Sequence, residues 1–152
     1  KVVHRDGSES HKFAPFKKSI YSLPELAHVL GDANRRYLEF LSAIDDPTNG
    51  LRDLEKVSRP VQTDNRTYRG FNLFHGDDLD LFLAIIRGEF DITGFRNADL
   101  QQRLPSKTSQ QISALLRRLR KHGLIKKVSR NYKYYLTALG RRVTAVALNI
   151  LV

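Results

Sequence analysis

The segment SQQISALLRRLRKHG, residues 109–123, decides how this chain folds. Four of its apolar residues recur at intervals of three and four, the spacing of one face of an α-helix: Ile112, Leu115, Leu116 and Leu119. Gly123 follows this pattern directly, and glycine is typical of the position just beyond a helix end. The segment therefore predicts a helix over residues 109–122 that buries one apolar face.

The opposite face of this helix carries no carboxylate. On a helical wheel it holds Gln110, Ser113, Ala114, Arg117, Arg118 and Lys121. A helix that only contacts solvent usually mixes acidic with basic residues, because opposite charges three or four apart contribute roughly 0.2 to 0.5 kcal/mol per pair. This helix has no such pairs, so we interpret the face as one that binds nucleic acid.

The segments before this helix predict more helical structure. Apolar residues nearly encircle a helix predicted between Asp77 and Gly88, which we therefore expect deep in a core. Ile92 is expected in a short extended piece. A further short helix is predicted over residues 97–104, with Pro105 ending it.

The segments after residue 123 predict a hairpin and a last helix. Residues 124–129 and 132–136 are rich in branched and aromatic side chains and are joined at Arg130 and Asn131, a pattern typical of a β-hairpin. Thr137 is the expected N-cap of the last helix, since its hydroxyl can accept a bond from a free N–H of the first turn.

Residues 1–70 have a different pattern. After an extended lead-in, an apolar stripe predicts one long helix: Leu26, Leu30, Ala33, Tyr37, Leu41 and Ile44. A short helix is predicted over residues 51–57, and residues 58–70 show no period, so we interpret them as a linker. We expect the stripe to pack against another helix, and a homodimer is one arrangement that would supply it.

The charges are distributed unevenly along the chain. The 152 residues carry 26 Lys and Arg against 16 Asp and Glu, a formal net charge of +10. All 16 acidic residues and 14 of the basic ones lie within residues 1–99. The formal net charge is therefore about −2 in residues 1–99 and +12 in residues 100–152. This asymmetry favours a polyanion as the partner of the C-terminal region.

Composition excludes several classes of chemistry. The absence of Cys excludes disulfides, thiolate metal sites and a cysteine nucleophile. No nucleophile elbow, phosphate-cradling glycine loop or zinc motif occurs, so we predict no cofactor, no metal and no catalytic residue. No apolar run reaches the roughly 18 residues of a membrane span, so we expect no membrane partner and a cytoplasmic location. Because the chain begins without Met, we interpret it as a fragment of a longer protein.

The stretch LLRRLRKHGLIKKVSRNYKYYLTALGRRV, residues 115–143, resembles the winged helix-turn-helix superfamily, in the manner of MarR-like and ArsR-like bacterial DNA-binding domains. The resemblance covers residues 77–152, and its most diagnostic part is the helix ending at His122, the basic hairpin, and the Leu136, Thr137, Gly140 start of the next helix. The whole chain also resembles the C-terminal part of bacterial proteins associated with mobile elements. The expected fold is mainly α with a small β-hairpin: a winged helix-turn-helix over residues 71–152, preceded by a helical N-terminal region over residues 1–70.

The resemblance implies duplex DNA binding, with the helix over residues 109–122 in the major groove and the hairpin along the backbone or adjacent minor groove. The residues implied to face base edges are Ser109, Gln110, Gln111, Ser113 and Arg117. The residues implied for the hairpin are Lys126, Lys127, Arg130 and Lys133, while Thr108 is implied to donate to a phosphate. With Arg118 and Lys121 from the wheel, these form the predicted site of a transcription regulator or of the targeting module of a recombination or transposition protein.

Two alternatives remain open at the level of sequence. The chain is also compatible with part of a DNA-processing enzyme whose catalytic residues lie elsewhere. Within the chain, the acidic residues a metal-dependent nuclease would use are Asp77, Asp78, Asp80, Glu89 and Asp91, but helix-start acids are usually caps. The other alternative is an RNA-binding or protein-binding winged helix, although single-strand binders need exposed rings that the basic helix face lacks.

Overall fold

A computed structural model describes residues 2–3, 6–10, 19–45, 48–128 and 132–151. The chain divides into two compact units, Lys1–Asp32 and Ala33–Val152. The first unit contains an antiparallel pair, β1 (Val2–Val3) with β2 (Glu9–Ser10), and a short 3-10 helix, Ile20–Ser22. The long helix α1 (Leu23–Asp45) begins in this unit and continues into the second.

The second unit is mainly helical. After α1 its elements are α2 (Thr48–Val57), β3 (Val61–Thr63), β4 (Arg66–Tyr68), α3 (Gly76–Ile85), α4 (Gly88–Thr93), α5 (Asn97–Arg103), α6 (Ser109–Lys121), β5 (Ile125–Val128), β6 (Lys133–Leu136) and α7 (Ala138–Leu151). The predicted fold class, mainly α with a small β-hairpin, is confirmed. No helix in the described ranges is long and apolar enough to cross a membrane.

Helix α6 matches the predicted helix to within one residue. At its start the Thr108 hydroxyl accepts from the Gln111 backbone N–H at 3.3 Å, and the Gln111 side chain accepts from the Thr108 N–H at 2.8 Å. This reciprocal capping satisfies two backbone donors that would otherwise lack partners. At its end Gly123 has a φ of +73°, a conformation that costs glycine little.

The core lies between α3, α5, α6, α7 and the β5–β6 hairpin. Its largest fully buried side chains include Phe82, Phe95, Leu100, Ile112, Leu119 and Val143. Burying such side chains contributes roughly 1.5 to 3 kcal/mol each. Phe95 is also hydrogen-bonded to Tyr134 of the β5–β6 hairpin. The Phe95 N–H donates to the Tyr134 backbone oxygen at 2.9 Å, and the Tyr134 N–H donates to the Phe95 backbone oxygen at 2.8 Å. The hairpin is therefore attached to the helical body along its second strand.

Two local predictions were wrong. Residues 58–70 are not a structureless linker, because β3 pairs with β4 antiparallel and places Thr63 opposite Arg66. Asp64 and Asn65 form the two-residue turn with φ of 54° and 57°, and both residue types tolerate this left-handed conformation. Ile92 lies in the short helix α4 rather than in an extended piece.

The predicted boundary between residues 70 and 71 falls inside the second unit. The Phe71 N–H donates to the Val57 oxygen at 2.9 Å, and both side chains belong to the core. Helix α2 packs against α7, and Arg142 Nε donates to Asp53 Oδ2 at 2.6 Å. Residues 33–70 thus share their packing with the basic region.

The apolar stripe of α1 is only partly buried. Within the stripe Ala33 is buried, whereas Tyr37 is 38% and Leu41 is 40% exposed; Phe40, which lies outside the predicted stripe, is buried. Arg36 Nε donates to the Asp91 backbone oxygen at 3.1 Å, which holds this part of α1 to α4. Pairing of the exposed residues with a second copy stays a prediction.

Candidate nucleic-acid interface

One row of side chains on α6 faces away from the core. Gln110, Ala114 and Arg117 are exposed, and their spacing of four and three places them along one line of the helix. Arg117 has no carboxylate partner in the part of the chain that the structure describes. We call these three residues the exposed row, and it combines an amide, a small side chain and a free guanidinium.

Two serines border the exposed row near the start of α6 and are tied to α5. Asn97 Nδ2 donates to the Ser109 backbone oxygen at 3.0 Å and to Ser113 Oγ at 2.9 Å, while Ser109 Oγ donates to Asn97 Oδ1 at 3.0 Å. A hydroxyl has one donor and two acceptor positions. Ser113 accepts the bond from Asn97 and retains its O–H for a ligand, whereas Ser109 has used its donor.

Thr108 and Gln111, which cap the start of α6, also use part of their hydrogen-bonding capacity within the chain. Gln111 accepts from the Thr108 N–H through its side-chain oxygen, which holds this side chain against the start of α6. The Thr108 hydroxyl acts only as an acceptor in the cap, so its hydrogen remains available for a phosphate oxygen. The geometry therefore suits the implied role of Thr108 better than that of Gln111.

The lysines of the β5–β6 hairpin differ in their surroundings. Lys126 and Lys127 are exposed on β5, and Lys127 Nζ lies 4.2 Å from the centre of the Tyr132 ring. Lys133 Nζ donates to the Thr93 backbone oxygen at 2.9 Å and so helps attach β6 to α4. Arg130, the fourth predicted hairpin cation, lies outside the described residues.

Arg118 does not belong to the exposed face, and the wheel was wrong about it. Its guanidinium is buried, donating to Asp78 Oδ1 at 2.7 Å and Oδ2 at 2.9 Å, and it lies 3.8 Å from the centre of the Phe71 ring. Its Nε also donates to the Arg69 backbone oxygen at 3.0 Å. Position 118 lies at the edge of the apolar face, where α3 and residues 69–71 cover it.

The carboxylate of Asp78 is held in its charged form. Burial alone would raise the pKa of Asp78, but the bonds and charge of Arg118, with the Asn72 N–H at 3.1 Å, outweigh it and leave this pKa below its usual range. His122, the next residue along this edge, has a pKa lowered by burial, and its Nε2 lies 3.0 Å from the Arg69 oxygen. These groups position α6 rather than contact a ligand.

The acidic residues considered for a nuclease do not converge. Asp77 pairs with Lys107 at 2.8 Å, Glu89 pairs with Arg87 at 2.7 Å, and Asp78 pairs with Arg118 as above. Within the described ranges no three His, Asp or Glu side chains lie close enough together to hold a metal ion. Asp77, Asp78 and Glu89 instead each pair with a nearby cation.

A basic groove beside the second half of α6 was missed from sequence. It lies between α6 and the β3–β4 hairpin and is lined by Asp64, Arg66, Tyr68, Arg117, Arg120 and Lys121. Lys121 Nζ donates to Asp64 Oδ2 at 2.6 Å, so this predicted contact residue is paired within the chain. The Asp64 and Asn65 pair between two short β-prone runs was the available signal, since such pairs are typical of tight hairpins.

No protein-family model, curated protein or solved structure matches the chain.

Proposed function

We propose that this chain binds duplex DNA, with α6 in the major groove and the β5–β6 hairpin on the adjacent backbone. The observation that carries the proposal is the exposed row Gln110, Ala114 and Arg117, which stands on a helix whose opposite face is core. No carboxylate occurs in α6, and the neighbouring hairpin presents Lys126 and Lys127 to solvent. A polyanion can therefore approach without meeting negative side chains on α6.

The dimensions and chemistry of the exposed row favour the major groove. A helix with its side chains is about 10 to 12 Å wide, which fits the roughly 12 Å major groove and not the narrower minor groove. A Gln amide can pair with adenine and an Arg guanidinium with guanine, each through two bonds. Gln110 and Arg117 lie about two turns apart, so they can reach different base pairs.

The two hairpin lysines suit the phosphate backbone. Their ammonium groups act as point charges, which add affinity without distinguishing one sequence from another. A helix that reads base edges and a hairpin that binds phosphates together describe a sequence-selective module. We place it in a transcription regulator or in the targeting part of a recombination or transposition protein, and we propose membership of the winged helix superfamily on the order α3, α5, α6, β5, β6.

One observation favours a competing partner. Tyr132 is 70% exposed next to Lys127, and an exposed ring beside a cation is what single-stranded nucleic acid stacks on. The α6 face itself carries no aromatic residue. We therefore prefer duplex DNA and treat single strands and RNA as competitors to be measured.

Selection of bound sites from a random duplex library tests the proposal. We expect repeated selection with the whole chain to enrich one short motif, and the enriched duplex to compete better than single-stranded DNA or RNA of the same sequence. Arg117→Ala should alter the enriched motif at one position. Absence of enrichment, or tighter binding of single strands, would contradict the proposal.

A further inference from the structure

We propose that the β3–β4 hairpin is a second DNA-contacting element, which binds backbone phosphates on the side of α6 opposite the β5–β6 hairpin. The inference rests on the proposed function and deepens it, because it assigns the same duplex a second set of contacts. Arg66 is its principal residue, and Arg120 of α6 lines the same groove.

The two hairpins border the exposed row on different edges of α6. Ser109, Ser113 and Leu116, at intervals of four and three, face a cleft that Tyr132 and Tyr134 of the β5–β6 region also line. The other edge carries Arg118 and His122, four positions apart, and Lys121 lies between them and the exposed row. The exposed row lies between these edges, so a duplex seated on it would run between the two hairpins.

The second edge is bonded to the β3–β4 hairpin and the chain that follows it. Lys121 binds Asp64 at the hairpin turn, while Arg118 and His122 contact the Arg69 backbone oxygen at its base. The hairpin is thereby held at both ends against α6. An element that is already held in place loses little conformational entropy when a ligand binds.

The groove between the hairpin and α6 has the charge of a phosphate site. Asp64, the one carboxylate among the described residues that line it, pairs with Lys121 at 2.6 Å. Arg66, Arg117 and Arg120 line the same groove and have no carboxylate partner among the described residues. Arginine matches phosphate oxygens with two parallel donors, so three free guanidiniums favour an anion here.

The anion we assign to this groove is the backbone of the duplex that α6 reads. Arg117 belongs both to the groove and to the exposed row, so the two surfaces are continuous. Phosphates flanking the base pairs under α6 would therefore pass along the groove. A free small anion is the other source of the same chemistry, and inorganic phosphate serves as its probe in the test.

The experiment compares Arg66→Ala with Arg59→Ala in the whole chain. Arg59 lies just before β3, is 75% exposed and pairs with Glu55 at 3.0 Å, so its loss removes the same charge outside the groove. Binding to a selected duplex and to random DNA is measured across a salt series, together with phosphate-ethylation interference. We expect Arg66→Ala to weaken both duplexes, to reduce the salt slope by about 0.9, and to abolish interference at phosphates on one flank.

Arg66→Lys is the rescue variant, because it restores the charge, and we expect it to recover the salt slope. Circular dichroism of each variant verifies that the fold is retained. If Arg66→Ala and Arg59→Ala give the same slope and the same interference pattern, the β3–β4 hairpin does not contact DNA, although α6 still does. If millimolar inorganic phosphate binds the groove without any effect of Arg66→Ala on DNA, the inference is likewise overturned. Failure of the unaltered chain to bind any duplex would instead contradict the proposed function.

Discussion

Asp78 and Arg118 join α3 to α6 through a buried fork, with both carboxylate oxygens accepting from the guanidinium at 2.7 and 2.9 Å. The side chains are 2% and 9% exposed, respectively. The arginine that follows Arg117 in sequence therefore sets the position of the helix, while Arg117 itself points outward. The two adjacent arginines therefore differ: Arg118 is buried and holds α6 in place, and Arg117 is exposed.

Breaking this pair is expected to destabilise the fold. Arg118→Ala leaves the buried Asp78 carboxylate with only the largely exposed Arg69 guanidinium, at 3.2 Å, as a counter-ion, so we expect a cost of up to about 3 to 5 kcal/mol. Urea unfolding measures the loss, and Arg117→Ala is the matched control, for which we expect almost no change. The prediction is wrong if Arg118→Ala unfolds at the same urea concentration as the unaltered chain.

Arg117→Ala is expected to reduce discrimination between the selected duplex and random DNA. A guanidinium paired with guanine contributes roughly 1 to 3 kcal/mol of preference over another base. The ratio of the two dissociation constants, measured at one salt concentration, reports this quantity. An unchanged ratio would mean that another part of the surface reads the sequence.

Lys126→Ala and Lys127→Ala are expected to weaken binding to all duplexes equally. Each phosphate contact that is lost should reduce the slope of log affinity against log salt by about 0.9. Lys133→Ala is an informative comparison, because Lys133 donates to the Thr93 oxygen and should affect the slope less. A change in sequence preference without a change in slope would contradict this assignment of the lysines.

Gly50→Ala is expected to disturb the packing of α2 on α7. A Cβ atom at Gly50 would lie 2.5 Å from the Arg142 backbone oxygen, so one helix must move. Such overpacking typically costs about 1 to 3 kcal/mol. Gly31→Ala is the control, since a Cβ there meets nothing within 4 Å and should stabilise α1 by up to about 1 kcal/mol. Thermal unfolding of the two variants should therefore shift in opposite directions.

Asp91 is expected to make stability fall as pH rises through the mildly acidic range. Its carboxylate is 1% exposed, neither oxygen has a hydrogen-bond donor among the described residues, and Arg141 Nη1 lies 3.8 Å away. Burial raises the pKa of Asp91 from 3.8 to about 6. The charges of Arg141 and Arg36 lower this pKa, and the charge of Glu39 raises it, but burial has the largest effect. Between these two values the folded chain keeps a proton that the unfolded chain has released.

The free energy of unfolding should therefore decrease from about pH 4 to about pH 6, by up to about 3 kcal/mol, and level off above. Asp91→Asn should remove this dependence. The lowered pKa of Asp78 acts in the opposite direction and only at lower pH, where protonation of Asp78 removes its bond to Arg118. Urea titrations at several pH values separate the two groups, and an Asp91→Asn variant with an unchanged pH profile would refute the assignment.

The hairpin over residues 61–68 marks the limit of local patterns. Its strands have three residues each, too short for a two-residue period to be recognised. Its position was not predictable either, because Lys121 and Asp64 are 57 positions apart and meet only after α3 and α6 have packed. Arg66 and Arg120 could be assigned to the candidate site only because that contact places the β3–β4 hairpin beside α6.

The sequence alone determined the helix α6 with its end at Gly123, the β5–β6 hairpin and the concentration of positive charge, because helical spacing and turn preferences act over a few residues. Tertiary structure decided which cations remain free. Arg118, Lys121 and Lys133 find partners on α3, on the β3–β4 hairpin and on α4, whereas Arg117 finds none among the described residues. A helical wheel specifies only the direction in which a side chain leaves its own helix. Whether another element covers that side chain depends on contacts between segments far apart in sequence, which no local pattern encodes.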